Sequence, residues 1–122
     1  MRKVLCIDDT PIVLKTLSIF LQGQYDVTTC DNSQKGLELA LTGDFPVVIT
    51  DIRMPGLTGL EITEKIEEAD THCLIILLTS HAMDSYAEES AKNQKIFQYC
   101  LKPVKNQHLV HTIEQAFEAI GE

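Results

Sequence analysis

Four short apolar runs in this chain are each followed by residues that can contact phosphate or a metal ion. The runs are 4–7, 47–50, 74–78 and 99–101, and the residues after them are Asp8-Asp9, Asp51, Thr79 and Lys102-Pro103. Helix-length segments separate the runs, which is typical of buried parallel strands. The carboxyl ends of such strands share one edge of the sheet, where ligands of open α/β folds bind. The sequence therefore predicts one cleft that contains carboxylates, a hydroxyl and an ammonium.

The pattern along the chain predicts five strands that alternate with five helices. This favours a (βα)5 doubly wound, flavodoxin-like parallel sheet with right-handed crossovers and strand order 2-1-3-4-5. Strand 2 (25–30) is expected near the sheet edge, strand 3 over 46–50 and strand 5 over 98–101. The predicted helices start at Thr10-Pro11 with a hydroxyl cap, at the 31–33 cap, at Gly59, at Asp84 and at Asn106. The first four end near Gly23, Gly43, Ala69 and Asn93, and the last ends near Ile120.

The predicted fourth helix, residues 84–93, is almost entirely polar. Ala87 and Ala91 are its best apolar contacts. A helix that buries so little surface is expected to be among the least stable parts of the fold.

Length, charge and cysteine spacing restrict the class of protein. A chain of 122 residues with 44% apolar residues fits one domain, predicted here over residues 1–122. A net charge of −8 argues against direct nucleic-acid binding. No membrane span or signal peptide is recognisable, and the four cysteines lack C-x-x-C spacing. We expect a cytoplasmic protein with reduced, buried cysteines.

The strand-end residues suit phosphoryl transfer to a carboxylate. Aspartates held close together repel each other unless a cation lies among them, and Mg²⁺ prefers such oxygen ligands. Asp51 is the predicted nucleophile, with Asp8 and Asp9 as metal ligands. Thr79 is expected to donate a hydrogen bond to a phosphoryl oxygen, and Lys102 to pair with another.

Four motifs stand out at the strand ends: 7–9 (IDD), 51–56 (DIRMPG) with Gly59, 78–80 (LTS) and 99–103 (YCLKP). With these motifs the chain resembles, from residue 3 to about 120, the receiver domain of bacterial two-component response regulators. One departure precedes strand 5, where Lys95 and Ile96 replace the Gly-Ala pair usual in the family.

The resemblance implies a signalling domain rather than a conventional enzyme. Asp51 would accept a phosphoryl group from the phosphohistidine of a sensor kinase or phosphotransfer protein. Asp8, Asp9, Asp51 and the Arg53 backbone carbonyl would surround Mg²⁺ or Mn²⁺. Thr79 and Tyr99 would form a switch pair, and the Lys102-Pro103 peptide would be cis.

The same resemblance implies where the signal leaves the domain. The output face would comprise the fourth helix, fifth strand and fifth helix, and two copies would pair there in a homodimer. The target would be a C-terminal output domain or a separate protein, since the sequence does not distinguish a stand-alone receiver from an excised one. No membrane partner is expected.

Three other functions fit parts of the pattern. A haloacid-dehalogenase-type phosphatase also uses an aspartate nucleophile, but it needs an acid two residues after that nucleophile at strand 1, where this chain has Asp8-Asp9-Thr10. A flavodoxin-type electron carrier needs a hydroxyl- and glycine-rich loop for the FMN phosphate, which Asp8-Asp9 would repel. A receiver that only docks proteins, without phosphorylation, is the third.

Overall fold

A computed structural model describes residues 1–80 and 93–121 of the chain. These ranges contain one five-stranded sheet and four helices. The strands are β1 (Lys3–Ile7), β2 (Asp26–Cys30), β3 (Val47–Asp51), β4 (Leu74–Thr79) and β5 (Ile96–Leu101). The helices are α1 (Pro11–Leu21), α2 (Ser33–Leu41), α3 (Gly59–Glu68) and the C-terminal helix α4 (Asn106–Ile120). The predicted helix over 84–93 lies, apart from Asn93, outside the described residues.

The predicted sheet topology is confirmed. All pairings are parallel, the order is β2-β1-β3-β4-β5, and β2 is an edge strand. Ile7 pairs with Thr50, Asp51 with Leu78, and Thr79 with Leu101. Because these pairs lie at the carboxyl ends of their strands, the residues that follow the apolar runs meet at one edge.

Two apolar layers cover the sheet, one on each face. Successive side chains of a strand point to opposite faces, so Val4 and Cys6 join the layer under α1 and α4, whereas Leu5 and Ile7 join the layer under α2 and α3. All of them are buried, which explains why the strands read as continuous apolar runs.

The ends of the elements differ from the predictions in a few places. The predicted hydroxyl cap at Thr10 is wrong, because its side chain makes no capping hydrogen bond; instead its backbone N–H donates to Asp8 Oδ1 at 2.9 Å. Strand β5 begins at Ile96, two residues before the predicted Gln98. The register is irregular between Ile75 and Ile76, and Ile96 pairs with Ile75. Strand β2 begins at Asp26, one residue after the predicted start.

The predicted burial of the cysteines is confirmed. All four lie among the described residues as buried, free thiols. Burial raises the pKa of Cys6 to about 12 and that of Cys73 to about 11, so both thiols stay protonated at neutral pH. No helix in the described ranges has the length and apolar character needed to cross a bilayer.

Candidate functional site

Three aspartates meet at the carboxyl edge of the sheet. Asp8 and Asp9 follow β1, and Asp51 ends the neighbouring strand β3. One carboxylate oxygen from each residue lies within 4.8 Å of the others. Asp8 is fully buried, Asp51 is half-buried and Asp9 is exposed. The cluster therefore reaches from the protein interior to the surface, and an ion from solvent has access to it.

Lys102 supplies a positive charge to this cluster. Its Nζ lies 3.0 Å from Asp51 Oδ2 and 3.3 Å from Asp8 Oδ2. Its backbone N–H donates to the Thr79 carbonyl at 2.7 Å, which fixes the chain where it leaves β5. The Lys102-Pro103 peptide bond is cis, as the resemblance predicted.

The pKa values in the cluster follow from burial and pairing. Burial raises the pKa of Asp51 above its usual 3.8 and Asp8 adds to the rise, although the hydrogen bond and charge of Lys102 oppose it. Burial lowers the pKa of Lys102, but its contacts with Asp51 and Asp8 outweigh this and raise it above 10.5. Lys102 is therefore charged at neutral pH and compensates only part of the carboxylate charge.

A close backbone contact fixes the chain directly after Asp51. The Gly59 N–H donates to the Ile52 carbonyl at 2.8 Å, and a Cβ atom on Gly59 would lie 2.3 Å from the Asp51 carbonyl oxygen. A side chain at residue 59 would require the end of β3 to move. Glycine at this position is therefore needed for the geometry of the site.

The remaining predicted site residues lie at or near the same edge. Thr79 is buried at the end of β4, the strand beside Asp51. Arg53 is exposed at the start of the loop after Asp51. Tyr99 is half-buried on β5, where it packs against the layer under α2 and α3. Tyr99 thus lies on the outer strand β5, two strands away from Asp51.

Sequence reasoning missed the position of Ser33. It was expected only as part of a helix cap, yet its side chain contacts the loop after β3. Ser33 Oγ donates to the Pro55 carbonyl at 2.9 Å and accepts from the Leu57 N–H at 2.9 Å. No local sequence signal indicates this contact, because its partners lie more than twenty residues away.

An apolar groove adjoins the cluster. It has a volume of about 370 Å³ and lies between α1 and the segment after β5. Lys102 lines it together with apolar residues that include Ile12, Phe20, Pro103 and Val104. Ile12 is 71% exposed although it is a large apolar residue. This groove is therefore an apolar surface that directly borders a charged cluster.

The fold and the aspartate cluster together define a receiver domain, and the family profile agrees. The family described as "Response regulator receiver domain" matches residues 4–114, and the chain belongs to it. It is a signalling domain of two-component response regulators.

Named relatives are transcriptional regulators. The chain is 34% identical over 116 residues to the transcriptional regulatory protein BtsR of Escherichia coli K12, covering 93% of this chain and 47% of that protein. It is 30% identical over 118 residues to the hydrogenase transcriptional regulatory protein HoxA of Cupriavidus necator, covering 97% of this chain and 24% of HoxA. The chain thus spans from about a quarter to about half the length of these relatives.

Solved structures show the same fold. A response regulator receiver domain protein from Clostridium thermocellum is 32% identical, with a TM-score of 0.87 over 98% of this chain and 96% of that one. The chemotaxis protein CheY4 of Vibrio cholerae is 26% identical, with a TM-score of 0.85 over 95% of this chain and 98% of that one.

Proposed function

We propose that Asp51 accepts a phosphoryl group from the phosphohistidine of a sensor kinase or phosphotransfer protein. The observation that carries the proposal is the position of the Asp51 carboxylate. It lies at the open end of β3, beside Asp8 and Asp9, and Lys102 Nζ is 3.0 Å away. A nucleophilic oxygen is thus held next to groups that can neutralise or bind the charge of a phosphoryl group.

The cluster fits a hard divalent cation. Its ligand atoms are carboxylate oxygens within 4.8 Å of one another, and burial raises the pKa of Asp51, an effect that a bound cation would oppose. Asp8, Asp9 and Asp51 would hold Mg²⁺ or Mn²⁺, and the resemblance adds the Arg53 carbonyl. The cation, when bound, neutralises charge on the phosphoryl oxygens.

The transfer exchanges one bond to phosphorus for another. An Asp51 carboxylate oxygen forms a bond to phosphorus while the bond from phosphorus to the histidine nitrogen breaks, and the leaving imidazole takes up a proton. Lys102 pairs with one phosphoryl oxygen, and the Thr79 hydroxyl donates to another. Because the transferred group carries its charge on oxygen, positioned donors supply most of the catalysis.

Thr79 and Tyr99 would transmit the phosphorylation signal. Thr79 would turn toward the phosphoryl group, and the Tyr99 ring would rotate inward against the layer it already contacts. The output face would include β5 and α4, together with the predicted helix over 84–93, which lies outside the described residues. Pairing of two copies through this face is part of the same proposal.

The partners follow from the same chemistry. The domain would receive its phosphoryl group from a sensor kinase or phosphotransfer protein. It would pass the signal to a C-terminal output domain or a separate target. The longer transcriptional relatives favour an attached domain. Free buried thiols are compatible with the reducing cytoplasm, where we propose that the domain acts.

The direct test is intact-mass measurement after incubation with acetyl phosphate and Mg²⁺. The wild-type chain should gain about 80 Da, the mass of one phosphoryl group. Asp51→Asn should gain nothing, whereas Asp44→Asn, which alters an exposed aspartate away from the cluster, should behave as wild type. A gain of mass in Asp51→Asn would refute the assignment. No gain in the wild type would favour a receiver that only docks proteins.

A further inference from the structure

We propose that Ser33 is a positioning residue for the metal-binding loop after β3. The inference rests on the proposed function, because it concerns the affinity of the aspartate cluster for its cation. Ser33 is the first residue of α2 and is distant in sequence from the loop. It takes no part in the chemistry, and it would act through the backbone that carries Arg53.

Two hydrogen bonds join Ser33 to this loop. Ser33 Oγ donates to the Pro55 carbonyl and accepts from the Leu57 N–H, each at 2.9 Å. We call this pair of contacts the Ser33 bridge. Ser33 is 6% exposed, so water competes little for either contact. Since a hydroxyl that donates and accepts at once fixes two backbone groups, the bridge restrains the loop in two directions.

The loop lies so close to Ser33 that residue 56 has no room for a side chain. Gly56 has a φ of +80°, and a Cβ atom there would lie 2.8 Å from Ser33 Oγ. The loop between Asp51 and α3 is thus held at its middle by the Ser33 bridge. At its far end it is held by the bond from the Gly59 N–H to the Ile52 carbonyl.

The segment between Asp51 and the Ser33 bridge contains Arg53, whose carbonyl is the proposed fourth protein ligand. A carbonyl in an exposed loop binds a cation well only if the backbone already has the required orientation, because ordering it on binding costs conformational entropy. Groups that orient metal ligands without touching the metal affect its affinity strongly when they are removed. The Ser33 bridge is placed to do this for Arg53.

The test compares metal affinity in matched variants of the full chain. Free Mn²⁺ measured by electron paramagnetic resonance gives the dissociation constant without any phosphorylation. Ser33→Ala should bind Mn²⁺ about tenfold more weakly than the wild type. Ser33→Cys keeps a weaker donor and acceptor, so its dissociation constant for Mn²⁺ should lie between those of the wild type and Ser33→Ala. If Ser33→Ala does not fold, Ser33→Cys alone tests the inference. Hydrogen exchange of the Leu57 amide should be faster in both variants.

Thr112→Ala is the matched control. It removes another buried hydroxyl, which donates to the His108 carbonyl in α4, away from the loop. Its dissociation constant should equal that of the wild type. Mn²⁺ affinity within twofold of the wild type in the folded Ser33 variants, or an equal loss in Thr112→Ala, would overturn the inference. If the wild type itself binds no Mn²⁺ or gains no phosphoryl mass, the proposed function fails instead.

Discussion

Lys102 pairs with Asp51 across the intervening strand β4, with 3.0 Å between Nζ and Oδ2. The same ammonium lies 3.3 Å from the buried Asp8 carboxylate. Lys102 thus compensates charge on two of the residues that would hold the cation. In the proposed function it would support phosphoryl transfer, but it would also repel a divalent ion that approaches the same oxygens.

Replacing Lys102 should therefore have opposite effects on phosphorylation and on metal binding. We expect Lys102→Ala to be phosphorylated by acetyl phosphate at least about a hundredfold more slowly, since a charged donor to the transferred group is lost. The same variant should bind Mn²⁺ at least about threefold more tightly, because a nearby positive charge is removed. The phosphorylation rate is measured as the increase of intact mass with time, and the Mn²⁺ affinity is measured by titration.

Lys105→Ala is the control for this pair of effects. Lys105 is exposed and precedes α4, and its side chain makes no capping hydrogen bond. The phosphorylation rate and the Mn²⁺ affinity of Lys105→Ala should both match those of the wild type. Weaker Mn²⁺ binding in Lys102→Ala would show that Lys102 supports the cation site instead of competing with it.

Gly59→Ala should destabilise the fold through the end of β3. The new Cβ atom would lie 2.3 Å from the Asp51 carbonyl oxygen, and backbone atoms cannot move away as a flexible side chain would. We expect a loss of about 2–4 kcal/mol in the free energy of unfolding, measured by urea denaturation.

Gly43→Ala provides the comparison. Gly43 has a φ of +80° but nothing within 4 Å of the added Cβ, so only its backbone conformation becomes unfavourable. That change should cost about 1 kcal/mol. Equal losses in the two variants would show that the contact with Asp51 is unimportant for stability.

The apolar groove beside Lys102 should contact the protein that donates the phosphoryl group. A donor must bring phosphorus to the Asp51 oxygen, so its surface meets the rim of the cluster, where Ile12 is 71% exposed. Ile12→Ser should slow transfer from a phosphorylated histidine phosphotransfer protein by about tenfold, the effect of losing one well-buried apolar contact. Transfer from acetyl phosphate should stay unchanged.

Leu41→Ser is the control for docking. Leu41 is also a large, exposed apolar residue, but it lies at the end of α2. It should leave both reactions unaffected. A loss of acetyl phosphate reactivity in Ile12→Ser would mean that the substitution damages the site itself.

The sequence predicted the sheet and the aspartate cluster because both depend on local patterns. Apolar runs and the residues after them determine which strands are buried and what lies at their carboxyl ends, so Asp8, Asp51 and Lys102 could be placed together. The Ser33 bridge could not be predicted, since nothing in the sequence near Ser33 indicates a contact with Leu57. The hydroxyl cap at Thr10 failed because the Val13 N–H, to which a capping side chain would bond, donates to the Thr10 backbone carbonyl at 3.0 Å.

A second polar cluster, at the opposite edge of the sheet, could not be predicted from the sequence either. Arg2 lies 112 residues from Glu114, yet Arg2 Nη2 donates to Glu114 Oε1 at 2.5 Å. The Tyr25 hydroxyl donates to the same oxygen, and the Arg2 guanidinium lies 4.5 Å from the centre of the Phe117 ring. These contacts join the start of β1 to the C-terminal helix.

This cluster should make stability depend on pH in the acidic range. The hydrogen bond from Tyr25 is the largest cause that lowers the pKa of Glu114 below its ordinary 4.5, and Arg2 lowers it further. A carboxylate whose pKa is lower in the folded protein stabilises the fold above pH 4.5, and this contribution disappears as the pH falls through the folded-state value. Because the Glu114 side chain is 44% exposed, we expect the contribution to be at most about 1 kcal/mol.

Glu114→Gln should therefore be less stable than the wild type at pH 7, with the difference shrinking as the pH is lowered below 4.5. Urea denaturation at several pH values measures both curves. Glu118→Gln, an exposed change on the same helix, should run parallel to the wild type over the whole range. A difference between Glu114→Gln and the wild type that stays constant with pH would mean that the glutamate acts through packing rather than through its charge.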